Sequence, residues 1–369
     1  MGIRAAVLAG VGQPFIVRDD VEVEPPRAGE IRVRVAACGV CRSDLSMQEG
    51  TSPVPMPVVL GHEASAVVVE VGDGVTDLAP GDHVVVSWVP QCGACFFCRR
   101  GQAHLCQAAD AVLLAGGLLD GSPRLRLDGG PLFQMCGAGT FAEETVIAAC
   151  AAVKIPADVR LDIAALLGCS VLSGVGAALN TATIEPGDAV AVVGCGGVGL
   201  NVIQGARIAG AEIIVAVDVH EAKLATACEL GATHTVDATR VDPANAVRDL
   251  TGQRGADVAF EVLGKGATIE QVVQMTRRGG QAVLVGIPAL DVMLTLPAFL
   301  GLVLQERTIK GCWYGSSDIR RDVPRFLDLY RSGQLRLDEL VSRRIGLDGV
   351  NGAMAARKAG EVARSVIVY

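Results

Sequence analysis

The sequence predicts an α/β protein of two domains: a doubly wound parallel sheet and an irregular, mostly β domain. Three observations carry this. The chain has 369 residues, which suits two hydrophobic cores better than one. Up to about residue 170, short β-type runs are separated by Gly, Pro and Asp turns. Beyond it, apolar strand-like runs alternate with helical stretches, an alternation that implies a parallel sheet with helices on both faces.

In order, the first-domain strands are expected at 4–8, 31–36, 66–71 and 83–87, broken by Gly72-Asp73-Gly74 and Pro80-Gly81-Asp82. Residues 107–139 show little periodicity and read as a long excursion. Second-domain strands are expected at 189–193, 213–217, 258–262 and 282–285, with helices at 221–230 and 268–276. From about residue 314 the chain reads as helices and a last strand, 365–369, a tail expected to rejoin the first domain. The division is therefore 1–170 with 314–369, and 171–313.

Half of the residues are hydrophobic, so a sizeable core is possible, yet no apolar run reaches the roughly 18–20 residues that span a bilayer. Net charge is −8 and no basic patch stands out, which argues against nucleic acid or a membrane surface as partner. Residues 1–15 read as the start of a strand and lack the pattern of a secretion signal. Gly2 does not begin a myristoylation motif, because Ala6 stands where Ser or Thr is needed. A cytoplasmic location is expected. There, twelve cysteines are better read as metal ligands than as disulfides.

The expected strand at 189–193 runs into Gly194-Cys-Gly196-Gly197-Val198-Gly199, and a helical run follows from Leu200. A GxGxxG string is weak alone, but here it follows a strand and opens a helix, the context of a Rossmann dinucleotide site. Gly194 allows the tight turn, Gly196 lets backbone approach a pyrophosphate, and Gly199 lets helix and strand pack closely. Asp218 ends the next strand, where a carboxylate can accept the ribose hydroxyls and repel a 2′-phosphate, favouring NAD over NADP. Lys223 is placed to bond the same ribose; its alternative is an ordinary solvated charge.

Cys92, Cys95, Cys98 and Cys106 crowd into one short stretch. Four thiolates suit a closed, structural tetrahedral Zn²⁺. An iron–sulfur cluster is the chemical alternative, but Gln107 stands where a ferredoxin-like run usually has Pro.

The remaining pieces are dispersed: Cys38-Gly-Val-Cys41-Arg42-Ser43-Asp44, Gly61-His62-Glu63 and Gly168-Cys169. Singly each is weak, since a lone Cys is usually a small buried residue. Together with the four-cysteine cluster and the glycine turn, in this order and spacing, they resemble the zinc-containing medium-chain alcohol dehydrogenases over essentially the whole chain, including that family's long-form bacterial members.

The resemblance implies a GroES-like first domain and two zinc ions per subunit. Cys41, His62 and Cys169 would bind the catalytic zinc, with Glu63 nearby and Asp44 orienting His62 through its other ring nitrogen. Cys38 is outside the ligand pattern. Ser43 matches the hydroxyl that takes the alcohol proton; the histidine that often continues the relay is replaced by Ser46. Arg42 and Arg364 match contacts to the cofactor pyrophosphate, and Ser173 joins the cofactor contacts. Trp88 and Trp313 fall near positions that line the substrate pocket, with ordinary packing as their alternative. The implied reaction is reversible hydride transfer between NAD(H) and a small alcohol–carbonyl pair.

Two departures bear on subclass. The glutathione-dependent formaldehyde branch carries acids just before Gly-His-Glu, and residues 51–57 contain none. That branch also has an Arg where this chain has Asp110. A thiol-adduct formaldehyde dehydrogenase, or an alcohol dehydrogenase that keeps NAD(H) bound, are the alternative enzymes. The long 107–139 segment resembles the mostly dimeric members, so a homodimer is expected. A metal-free reductase of the same superfamily and a zinc-stabilised, non-catalytic NAD-binding regulator are the competing classes; the seven intact candidate ligands argue against both.

Overall fold

The computed structural model describes residues 2–360 and 364–369, and chain contacts divide it into two units. The first is Met1–Cys169 with Asp318–Asp328 and Leu337–Tyr369; the second is Ser170–Ser317 with Leu329–Arg336. The chain thus returns to the first unit near its end, but residues 329–336 go with the second.

The first unit is built on two β systems. Strands Ile3–Leu8, Ile16–Val23, Leu125–Leu127, Gly130–Gln134 and Val58–Val59 close a small barrel. A larger sheet runs in the order Ala152–Lys154, His83–Val86, Glu63–Val71, Glu30–Val40, Ser365–Val368, Arg343–Ile345, with Glu144–Ala148 also paired to Glu30–Val40. Glu30–Val40 is its hub. Ile31, Val33 and Val35 are buried in the alternation of a sheet with one face on the core. The stretch 107–139, without clear period in the sequence, is ordered: helix Gln107–Ala115 and the two strands that complete the barrel.

In the second unit, six parallel strands are β1 (Ala189–Val193), β2 (Ile213–Asp218), β3 (His234–Asp237), β4 (Ala256–Glu261), β5 (Thr276–Leu284) and β6 (Thr308–Gly311). Their order is β3-β2-β1-β4-β5-β6, so the direction of strand addition reverses at β1, the position where doubly wound sheets bind ligands. Every residue of β1 is buried, as expected of a parallel strand covered on both faces. Ala191, Val193, Val215, Val217, Val236, Ala259, Val272 and Ala282 form a core under one face. No single helix among the described residues is long and apolar enough to cross a membrane.

Candidate active site and zinc centres

Cys41 directly follows the hub strand and caps helix Arg42–Gln48. His62 directly precedes strand Glu63–Val71. Cys169 follows the short 3₁₀ turn Ala165–Gly168. These ends of separate elements converge, and the ligand atoms of Cys41, His62 and Cys169 lie within 4.8 Å of one another, all buried. Two glycines allow the approach. Gly61 has φ +89°, and a Cβ on it would lie 2.7 Å from the Phe141 nitrogen. A Cβ on Gly168 would lie 2.6 Å from the Val86 carbonyl.

Asp44 organises the cluster. Its Oδ2 accepts the Cys41 backbone N–H at 2.7 Å, its Oδ1 accepts that of Gly61 at 3.1 Å, and Oδ1 lies 3.3 Å from His62 Nδ1. Burial opposes a charged imidazole, but Asp44 and Cys41 outweigh it and raise the pKa of His62 well above its usual value. The Cys169 thiol bonding to Cys41 holds Cys41 well below the ordinary thiol range, and the same bond with burial pushes Cys169 up. Two soft sulfurs and an imidazole, drawn together in a buried site and competing for protons, fit a zinc ion.

Glu63 is also fully buried, which pushes its carboxyl up to about 7, opposed chiefly by Arg364. Arg364 Nε lies 3.3 Å from Glu63 Oε1, and its Nη1 donates to the Val40 carbonyl at 3.1 Å. Arg364 is buried beside Glu63, with 1% of its surface exposed. What the sequence reading missed is the pairing of Glu63 with Arg364; its one signal is that an acid next to a buried ligand candidate needs a buried cation. Trp88 stands edge-on to His62, ring centroids 6.4 Å apart. Trp313 belongs to the second unit and is partly exposed. Ser43 is partly exposed, its Oγ 4.0 Å from the Cys41 sulfur. Cys38 is buried against the Thr140 hydroxyl at 3.1 Å, away from the ligand set.

The four-cysteine lobe is local. The sulfurs of Cys92, Cys95, Cys98 and Cys106 lie within 4.8 Å of one another. Backbone N–H groups of Cys92, Cys95 and Cys98 point at sulfurs of the set, at 3.3, 3.4 and 3.5 Å. The bond from Cys98 leads the effects that hold Cys95 down at about 6. Four sulfurs prepared as acceptors fit a closed zinc site.

In the second unit the glycine turn has its expected form. Gly194 has φ +101°, outside the range of ordinary L residues. A Cβ on Gly199 would overlap the Gly194 carbonyl. Gly196 caps helix Gly197–Ala209, whose second residue, Val198, is partly exposed. Asp218 accepts the Cys195 N–H at 2.8 Å, and those of Val219 and His220 at 2.8 and 3.1 Å. The carboxylate is thereby fixed beside the turn, with Lys223 Nζ 3.9 Å from Oδ1. Ser173 is buried in helix Ser170–Gly176.

Comparison with known proteins agrees with this geometry. Residues 27–157 match the alcohol dehydrogenase GroES-like domain, and residues 197–332 the zinc-binding dehydrogenase domain. The chain is 38% identical to an NDMA-dependent alcohol dehydrogenase of Amycolatopsis methanolica, covering 100% of this chain and 99% of that one. The chain belongs to the zinc-containing medium-chain alcohol dehydrogenase family. Within the family it is also 36% identical, over 100% of both chains, to an S-(hydroxymethyl)glutathione dehydrogenase of Paracoccus denitrificans. Among solved structures, benzyl alcohol dehydrogenase from Acinetobacter calcoaceticus has a TM-score of 0.94 at 31% identity, over 100% of this chain and 99% of that one. The protein is therefore an oxidoreductase of the alcohol dehydrogenase type, with a GroES-like domain and a nucleotide-binding α/β domain.

Proposed function

We propose that the protein is an NAD-dependent zinc alcohol dehydrogenase, interconverting a primary or secondary alcohol with its aldehyde or ketone. The convergence of Cys41, His62 and Cys169 carries this reading. Three donors leave a tetrahedral ion one open position, the mark of a catalytic site, while the four-sulfur lobe is closed and structural. Two zinc ions per subunit follow. When bound, zinc supplies a Lewis acid that lowers the pKa of an alcohol, and NAD(H) takes up or delivers the hydride.

The chain's own residues do the rest. Asp44 fixes Cys41 and His62. The Ser43 hydroxyl is the near acceptor for the alcohol proton. Trp88 gives the site a large apolar wall, which favours alcohols with an apolar body. Asp218 selects NAD through its charge, with Lys223 beside it. Cys169→Ala tests the reading: zinc per subunit falls from two towards one, alcohol oxidation followed by NADH absorbance is lost, and melting stays near that of the wild type. Retained activity refutes it.

The similarity to an NDMA-dependent alcohol dehydrogenase favours a second reading of the cofactor, in which NAD(H) stays bound through turnover. Nicotinamide absorbance that survives gel filtration, with turnover only when an artificial acceptor is added, distinguishes it from free exchange. The subunit is further assigned to a homodimer. Ile287, Leu290, Met293, Phe299, Leu300 and Val303 are all more than half exposed, and only one charged residue, Asp291, falls within 287–304. So large an apolar surface beside the edge strand β6 needs an apolar partner, and a second copy supplies one. Light scattering after gel filtration reads the mass.

A further inference from the structure

Glu261 is the last residue of β4 and is fully buried. Its Oε1 accepts the backbone N–H groups of Leu263 and Gly264 at 3.0 and 2.9 Å, and the Thr268 hydroxyl at 2.6 Å. Its Oε2 lies 3.0 Å from the same Gly264 nitrogen. Its backbone carbonyl accepts the N–H groups of Val285 and Gly286, just beyond β5, at 2.8 and 3.0 Å. One residue therefore ties the loop after β4 to the loop after β5. The two loops meet where side chains are missing. A Cβ on Gly264 would overlap the Ile287 carbonyl, and one on Gly286 would overlap the Gly264 nitrogen. The first loop also lies against the glycine turn, since a Cβ on Gly194 would come within 2.8 Å of the Leu263 side chain.

Burying a carboxylate is costly unless hydrogen bonds compensate it, and here every compensating donor belongs to the loop after β4 or to the helix that follows it. A doubly wound sheet is built from two mononucleotide-binding halves, and its ligand lies outside the carboxyl ends of the strands. Asp218 closes β2, in the half that begins with β1. Glu261 closes β4, the first strand of the other half. Each acid holds backbone N–H groups of the loop after its own strand. They differ in reach: Asp218 keeps some exposed surface and Glu261 keeps none. Glu261 can therefore act on a dinucleotide only through the loops it holds, which leave Leu263 and Ile287 exposed beyond β4 and β5.

We propose that Glu261 is a positioning residue for the nicotinamide half of the dinucleotide, fixing loops 262–264 and 285–287 as the wall against which that half is held. The proposal rests on the NAD(H) reading given above.

The test uses zinc-replete full-length protein, freed of nucleotide, with NADH and ADP as probes. Glu261→Gln keeps the shape but puts an N–H donor among N–H donors. NADH affinity should fall about tenfold, the loss expected of one hydrogen bond to a charged group, while ADP affinity is unchanged. Thr268→Val removes one donor and leaves the carboxylate, so it should weaken NADH binding by less, and Thr268→Ser should restore it. A merely structural acid would lower the melting temperature without separating the two probes. Unchanged NADH affinity in Glu261→Gln, or equal losses for NADH and ADP, overturn the proposal. A measurement on the wild type removes dependence on the variant's folding. NADH should slow amide hydrogen exchange at 262–264 and 285–287 beyond what ADP does; equal protection by both overturns the assignment. If the wild type binds neither NADH nor ADP, the dinucleotide reading fails and this proposal with it. If NADH binds equally to wild type and Glu261→Gln, only this proposal fails.

Discussion

Asp44 and His62 meet at 3.3 Å, Oδ1 to Nδ1, with both side chains buried. The same carboxylate accepts backbone N–H groups from Cys41 and Gly61. One acid therefore sets the position of two ligands from different elements. Asp44→Asn keeps the shape but replaces one acceptor oxygen with an N–H donor, which must face a donor. Loss of such a ligand-orienting partner typically weakens metal affinity 10–100-fold. We expect a chelator to strip one zinc per subunit from Asp44→Asn under conditions where the wild type keeps two, with the four-cysteine zinc retained in both. Equal retention in both proteins refutes the role.

Cys95→Ser should act on stability before catalysis. Cys95 caps helix Phe96–Arg99 with its sulfur and lies within the four-sulfur cluster. Structural zinc contributes roughly 10 kcal/mol in small metal-dependent folds, and less where a large domain supports the lobe. A lower melting temperature or poor solubility is expected, with proteolysis starting near 92–106. Wild-type melting with selectively lost turnover contradicts the structural assignment.

Asp218→Ala should relax cofactor choice. It removes the charge that repels a 2′-phosphate, and it strips the acceptor from the N–H groups of Cys195, Val219 and His220. Total activity should therefore fall as the turn loosens, and the kcat/KM ratio of NAD to NADP should fall further. Steady-state kinetics with both cofactors measures this; an unchanged ratio places selectivity elsewhere.

What could be read along the chain was what is local. The run 189–193 is the observed β1, because an unbroken apolar, valine-rich run before a glycine turn has few other solutions. The four-cysteine lobe was legible because its ligands share one short loop. The convergence of Cys41, His62 and Cys169 was not, since no periodicity joins residues so far apart; it came from resemblance. Residues 107–139 hid a nine-residue helix and strands of three and five residues, too short for a periodic window. Their pairing with Ile16–Val23 and Val58–Val59 is non-local. The burial of Arg364 was equally illegible: it depends on Glu63, some three hundred residues earlier in the chain.

Arg124 supplies a test of the first unit's core. It is 1% exposed, and its Nε and Nη2 reach the two oxygens of Glu30 at 2.9 and 2.5 Å. Arg124→Met leaves Glu30 buried without its partner, a loss of about 3–5 kcal/mol in comparable pairs. Adding Glu30→Gln should recover part of it by removing the stranded charge. Chemical denaturation of the three variants reads this, and a double variant no more stable than Arg124→Met rules out charge burial as the cause.

The proton path can be tested at two serines. Ser43 and Ser46 stand three residues apart on helix Arg42–Gln48, on neighbouring turns of one face, and both are partly exposed. A hydroxyl can accept the alcohol proton while donating its own, so Ser43→Ala should collapse alcohol oxidation while NADH binding survives. Ser46 is different. Its carbonyl accepts the backbone N–H groups of Thr51 and Ser52 and the Thr51 hydroxyl, a structural role that any side chain preserves. Its own hydroxyl does not titrate near neutral pH and cannot act as an imidazole base. Ser46→Ala should therefore cost little. Ser46→His supplies a base that accepts protons only when neutral, so any gain in oxidation rate should emerge as pH rises through about 6.5 and vanish below it. Product release can hide such a gain in steady-state turnover, so the measurement is the pH profile of the single-turnover oxidation rate in wild type and the three variants. Near-normal turnover in Ser43→Ala, or damage in Ser46→Ala equal to that in Ser43→Ala, refutes this path.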